Sequence, residues 1–157
     1  MQIKIEENLI MLDLDGQANV DVLSQMADNL CQAGYVKESY KDAVIAREKV
    51  FATGLPTVSY GVAIPHTDIV HVNKPTICIA RLKHDVDFVI MGEESETVAI
   101  KLVFMLAMNE QHAQLSVLQK LMGLLQDNEA LTYLATEDDK HKIKAFIIEK
   151  LNVEGGE

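Results

Sequence analysis

Thr97 to Met108 reads TVAIKLVFMLAM, and Asn109 to Leu125 continues NEQHAQLSVLQKLMGLL. The first stretch mixes β-branched residues with a continuous apolar run, the pattern of a strand buried on both faces. In the second, Asn109 can cap a helix running to about Leu125, with Leu115, Leu118, Leu121, Met122 and Leu125 turned inward at helical spacing. A long buried strand leading into an amphipathic helix suits a layered α/β sheet, and the flanking sequence agrees.

Upstream, Thr76 to Leu82 (TICIARL) is β-rich and Val86 to Ile90 is a weaker strand candidate. Val62-Ala63-Ile64 is a short apolar run halted by Pro65, readable as a strand whose end delivers His66 into a loop. Phe51 to Gly61, with Thr53, Gly54, Pro56 and Ser59, has loop composition. Residues 20–33 place Val22, Leu23, Met26, Ala27 and Leu30 at helical spacing and stop at Gly34, a suitable residue just past a helix end. Ser39 and Asp42 resemble a variant capping box before a second helix to about Val50, in which Tyr40, Ala43, Val44 and Arg47 lie three and four apart. Two further helices fit 128–136 and 138–151, leaving 152–157 as a loose tail. Neither a repeat nor an interdomain linker interrupts residues 1–157, so the expectation is one α/β domain.

The composition removes several functions. With 24 acidic and 14 basic residues, a net charge of −10 and no run of Lys and Arg, the chain is a poor candidate for nucleic-acid or anionic-membrane binding. The longest strongly apolar stretch, Leu102 to Met108, is far short of a membrane span, and the opening MQIKIEENLIMLDLDGQ has no signal-type apolar core. Cys31 and Cys78 supply neither a disulfide framework nor a CxxC metal spacing, and apolar surroundings suit buried, inert thiols. The expected setting is reduced and cytoplasmic. No GxSxG elbow surrounds Ser59 or Ser116, which leaves a serine hydrolase without support.

Five histidines remain. His84 and His141 sit among charged residues and read as solvated surface. His66 and His71 are five apart, off the helical register, and lack a third ligand at a metal spacing. His66 stands out because strand ends in α/β sheets present side chains to ligands from a rigid base, and a neutral imidazole has one nitrogen free to act as nucleophile. A satisfied structural histidine is the competing reading. His112, at the third position of a helix capped by Asn109, would lie near free backbone N–H groups, where a neutral N–H donor suits an anion. The competing reading is an exposed first-turn histidine. Arg47 is one of only two arginines, with Arg81, and taken alone reads as a helix-surface ion pair.

Three segments change that balance: IAREKVFATGL at 45–55, GVAIPHTDIVHVNKPTICIARL at 61–82, and LVFMLAMNEQHAQLSVLQKLMGLLQD at 102–127. Together they resemble the EIIA domain of the fructose–mannitol family of the bacterial phosphoenolpyruvate-dependent sugar phosphotransferase system. The likeness spans about residues 20–150 and centres on the apolar strand closing on Ile64-Pro65-His66 after an Arg-Glu helix and a Thr-Gly loop. Chain length and the Arg47–His66 spacing look closest to galactitol-type members. The resemblance implies a mixed sheet flanked by helices on both faces, no bound cofactor or metal, and a phosphocarrier. By motif, His66 would accept a phosphoryl group from phospho-HPr and pass it to a cysteine of a cognate EIIB working with membrane EIIC. Arg47 matches the family's arginine near the phosphohistidine. His112 falls where mannitol- and fructose-type members often carry a second active-site histidine. Two alternatives stand beside transport: a regulatory EIIA signalling to a protein partner, and a noncatalytic binding module of the same fold.

Physical chemistry suits those roles. Phosphoryl transfer demands positioning and stabilisation of equatorial oxygens more than covalent chemistry. A guanidinium at Arg47 can grip two oxygens at once, and a His112 N–H could hold a third. An acidic carrier surface suits partners with basic or neutral contact faces.

Overall fold

The computed structural model describes residues 3–153. Its strands are β1 (Ile10–Leu14), β2 (Gly54–Leu55), β3 (Gly61–Ala63), β4 (Thr76–Val89) and β5 (Thr97–Ala107). The helices are α1 (Asn19–Gln32), α2 (Ser39–Val50), α3 (Gln111–Leu124), α4 (Asn128–Thr136) and α5 (Lys140–Leu151). The strands form one sheet in the order β1-β4-β5-β3-β2. It is mixed: β1–β4 and β3–β5 pair parallel, whereas β4–β5 and β2–β3 are antiparallel.

Alternation along β5 sorts the interior into two layers. Leu102, Phe104 and Leu106 pack with α3, α4 and α5, while Ile100, Val103, Met105 and Ala107 pack with α1 and α2. β5 is therefore covered on both faces, as its unbroken apolar run predicted, and helices flank both sides of the sheet.

α1 ends where expected. Gly34 adopts φ 85°, and the N–H groups of Gly34 and Tyr35 donate to the carbonyls of Cys31 and Leu30 at 3.0 Å each. A left-handed residue closing the last turn is where glycine carries the least penalty. α2 spans the expected residues, but the proposed box does not form. Glu38 precedes the helix without a side-chain cap, and the Ser39 oxygen instead lies 2.8 Å from Nδ1 of His71.

Two further expectations are corrected. Thr76–Leu82 and Val86–Ile90 are not separate strands, because β4 runs through both. Its register jumps from Arg81 opposite Leu102 to Val86 opposite Ile100, and Lys83, His84 and Asp85 bulge into solvent. In α3 the cap position is Glu110, not Asn109, and the inward line is Ala113, Val117, Leu121 and Leu124. Leu121 and Leu125 are buried as expected, but Leu115 and Met122 are exposed. An apolar residue on almost every face of α3 made its period ambiguous in the sequence.

Arg81 is buried on the α4–α5 side of β4, where it donates to the Glu137 carbonyl at 2.7 Å and pairs with Asp138. It ties the α4–α5 corner to the sheet. Asn152 closes α5 in the left-handed region and Val153 is buried, so the tail expected at 152 is anchored through 153, while 154–157 lie outside the described residues. Among the described residues no helix is long and apolar enough to cross a membrane.

Candidate functional site

β3 is only three residues long, and its place is set by a close backbone approach. A Cβ on Gly61 would sit 1.9 Å from the Ala99 carbonyl oxygen of β5, so no larger residue fits there without moving a strand. Beyond Ala63 the chain stays tied to β5: Leu106 N–H donates to the Pro65 carbonyl at 3.0 Å. Pro65 itself offers no N–H and keeps φ near −65°, which ends the ladder and turns His66 off the end of the sheet.

His66 is half-buried, and its Nδ1 lies 2.9 Å from the Ile64 carbonyl oxygen. A carbonyl can only accept, so Nδ1 carries the proton and Nε2 keeps the lone pair. Burial lowers the His66 pKa from its ordinary 6.5, the Arg47 charge acts in the same direction, and the Ile64 hydrogen bond opposes both. Near neutral pH this imidazole is uncharged, with its nucleophilic nitrogen assigned. The acceptor that fixes the tautomer is a backbone group two residues away, which no side-chain pattern reveals.

Arg47 reaches the same place from the last turn of α2. Its guanidinium lies 4.8 Å from the Phe51 ring centroid, and its Nε is buried with no hydrogen-bond partner among the described residues. The expected surface ion pair is not what holds it. A guanidinium stacked on an aromatic face and left with an unused donor is arranged to receive an anion. Tyr40 anchors the helix that carries it, donating through its hydroxyl to the Leu106 carbonyl at 2.6 Å.

His112 is exposed at the second position of α3, one turn position earlier than expected because Glu110 precedes the helix. It follows the C-terminal end of β5 as His66 follows the C-terminal end of the parallel β3. Both therefore emerge at one end of the sheet. No hydrogen bond or ion pair joins His112 to His66 or Arg47 among the described residues. The other histidines are elsewhere: His84 in the β4 bulge, His141 3.3 Å from Glu7, and His71 beside Ser39. Cys78 is fully buried and its thiol pKa is pushed up by that burial, whereas Cys31 is only partly buried.

Sequence reasoning passed over Glu48. It completes the buried stripe Tyr40–Val44–Glu48 on α2, and both carboxylate oxygens accept from Thr53: Oε2 from N–H and Oε1 from the hydroxyl, each at 2.8 Å. Burial raises its pKa from 4.5 to about 7, against the lowering effect of the Thr53 bonds. A carboxylate four residues after Val44, on the apolar side of a helix, was the available signal.

The end of the sheet thus presents a neutral, tautomer-fixed histidine within the influence of an arginine, an arrangement compatible with an anionic group. A sequence model described as "Phosphoenolpyruvate-dependent sugar phosphotransferase system, EIIA 2" matches residues 4–150, and the chain belongs to that family. It is 30% identical over 116 residues to the "PTS system galactitol-specific EIIA component" of Escherichia coli (strain K12), covering 74% of this chain and 77% of that protein. Its fold is similar to a chain of the complex of enzyme IIA-mannitol and phosphorylated enzyme IIB-mannitol from Escherichia coli. The TM-score is 0.71 at 23% identity, over 94% of this chain and 98% of that one. It is also similar to the nitrogen regulatory protein IIA-Ntr of Neisseria meningitidis, with a TM-score of 0.74 at 23% identity over 91% and 95% of the two chains. The chain is a phosphocarrier component of a sugar phosphotransferase system.

Proposed function

We propose that His66 is the phosphoryl carrier, accepting from phospho-HPr and discharging to a cysteine of a cognate EIIB for uptake of a sugar or polyol of the galactitol, fructose or mannitol kind. The observation that carries this is the Nδ1–H bond to the Ile64 carbonyl, which leaves Nε2 as the nucleophile. In the first step the Nε2 lone pair forms a bond to phosphorus as the donor's P–N bond breaks, its electron pair returning to the donor imidazole. The ring becomes cationic, and the Ile64 carbonyl stabilises the Nδ1–H that now shares the charge. In the second step the EIIB thiolate attacks phosphorus and the pair returns to Nε2, restoring the neutral tautomer.

Arg47 contributes two N–H groups to the equatorial oxygens, and His112 supplies a further donor once a partner closes over the site. Val50, Phe51 and Val58 are exposed on the α2 end and the β2–β3 turn, an apolar rim on which protein partners can seat. One EIIA unit across residues 1–157, acting in the cytoplasm, completes this reading.

Intact mass after incubation with phosphoenolpyruvate, Enzyme I and HPr tests it. One phosphoryl group is expected, labile in acid, stable in alkali, absent from His66→Ala, and lost on adding EIIB. Undiminished labelling of His66→Ala would overturn the assignment.

A further inference from the structure

Glu48 is a carboxylate with 5% of its surface exposed and no basic side chain within ion-pair distance among the described residues. Burying such a group is unfavourable unless its oxygens are satisfied. Both are, by a single residue: Thr53 donates its N–H to Oε2 and its hydroxyl to Oε1, at 2.8 Å each. The clamp fixes the first residues after α2 to the helix, just where the chain enters β2.

From Thr53 the connection continues through the backbone. The Thr53 carbonyl accepts from Ile64 N–H at 3.4 Å, and Gly54 pairs with Ala63 in the β2–β3 ladder. The other face of the same residue, the Ile64 carbonyl, accepts from Nδ1 of His66 at 2.9 Å. Glu48 thus lies three hydrogen bonds from the imidazole. It also adjoins Arg47 on α2, so the clamp sets the helix end that carries the guanidinium against the strand that carries the nucleophile.

We infer that Glu48 is a positioning residue for phosphoryl transfer, holding the Ile64 carbonyl through Thr53 so that His66 keeps its Nδ1–H tautomer and Nε2 stays aimed beside Arg47. The inference rests on His66 being the carrier only for its kinetic consequence. The tautomer is a property of the resting protein. Glutamine can replace glutamate here, its Oε1 accepting from Thr53 N–H while its Nε2–H donates to the reoriented Thr53 hydroxyl. Alanine cannot, and leaves the Thr53 N–H and hydroxyl without their partner.

Long-range ¹H–¹⁵N NMR of the His66 ring in the full chain, on wild type, Glu48→Ala, Glu48→Gln and Thr53→Val, reads the tautomer without any phosphoryl donor. Single-turnover transfer from phospho-HPr to the same four proteins separates the rate within the complex from the affinity for the donor. Wild type and Glu48→Gln should show the Nδ1–H pattern and similar rates. Glu48→Ala should show mixed tautomers and transfer within the complex slowed about tenfold to a hundredfold, with donor affinity little changed. Should Glu48→Ala fail to fold, Thr53→Val removes one of the two clamp bonds and should show a smaller shift in the same direction. An unmoved His66 tautomer in the folded variants would overturn the inference, even if transfer slows. If wild type takes no phosphoryl group, the carrier assignment fails while the tautomer result still decides the role of Glu48.

Discussion

Glu48→Gln should change how stability depends on pH, and the size of the change follows from the burial of the carboxylate. In the folded protein Glu48 titrates at about 7, against an ordinary value of 4.5. Between those two values the folded state keeps a proton that the unfolded chain has released. Its stabilising contribution is therefore complete below pH 4.5, declines as pH rises, and is gone above about 7. A shift of that size, at roughly 1.4 kcal/mol per pH unit, sets an upper bound of about 3 kcal/mol. Against a typical domain stability of about 5–15 kcal/mol, that is a readily measured fraction. His66 acts with the opposite sign: its pKa is lowered, so its contribution is present above 6.5 and is lost as pH falls towards the folded value. Wild type alone would show these two trends partly cancelling. The difference between wild type and Glu48→Gln isolates the carboxylate, because His66 is common to both. Urea unfolding followed by far-ultraviolet circular dichroism from pH 4 to 8 measures it. Glu48→Gln should gain on wild type by as much as about 3 kcal/mol between pH 4.5 and 7. A pH-independent difference would refute the argument. A difference of opposite sign would mean that the Thr53 bonds outweigh desolvation and that Glu48 is held ionised.

Arg47→Lys should retain charge yet slow single-turnover transfer about tenfold or more, because an ammonium cannot reproduce a planar two-oxygen grip. Equal rates would remove Arg47 from the site. His112→Ala should slow transfer only about fivefold, near 1 kcal/mol, since the residue is exposed before a partner binds; no change would make it a helix-end bystander. Gly61→Ala should destabilise by about 3 kcal/mol or more in thermal melts, because its Cβ would meet the Ala99 carbonyl at 1.9 Å. Gly123→Ala, on an exposed face of α3 with nothing within 4 Å, should instead stabilise by about 0.5–1 kcal/mol. A well-tolerated Gly61→Ala would refute the close packing of β3 on β5.

What was readable in the sequence was what depends on pattern. The unbroken apolar run of 102–108 announced a strand covered on both faces, and Gly34 announced the end of α1. The β4 hairpin arm was legible only in pieces, because a bulge at Lys83-His84-Asp85 interrupts the alternation without ending the strand. Pairing decides that question, and pairing is not local. At the site, Pro65-His66 was visible as a strand end, but the Ile64 carbonyl was not, since every residue carries the same backbone group. Arg47 read as a surface ion pair because its stacking on Phe51 depends on how α2 ends. Glu48 was hidden by a sound rule, that charged residues face water, which buried and fully bonded carboxylates break.

If His66 is the carrier, as proposed, the same arrangement suits both acceptance and release. A carrier that bound its phosphoryl group too firmly would gain in the first transfer and lose in the second. Among the described residues the Arg47 charge acts on His66, and the other fixed feature of the ring is a neutral carbonyl. That carbonyl favours the ring when it becomes positive on phosphorylation, yet it contributes no charge that must be overcome when phosphorus leaves. The lowered His66 pKa works in the same sense, keeping Nε2 free of a competing proton at neutral pH. On that reading, selectivity for direction falls to the partner proteins. On this argument, strengthening the site with a second guanidinium should speed phosphorylation and slow discharge, and the product of the two rates should not exceed that of wild type.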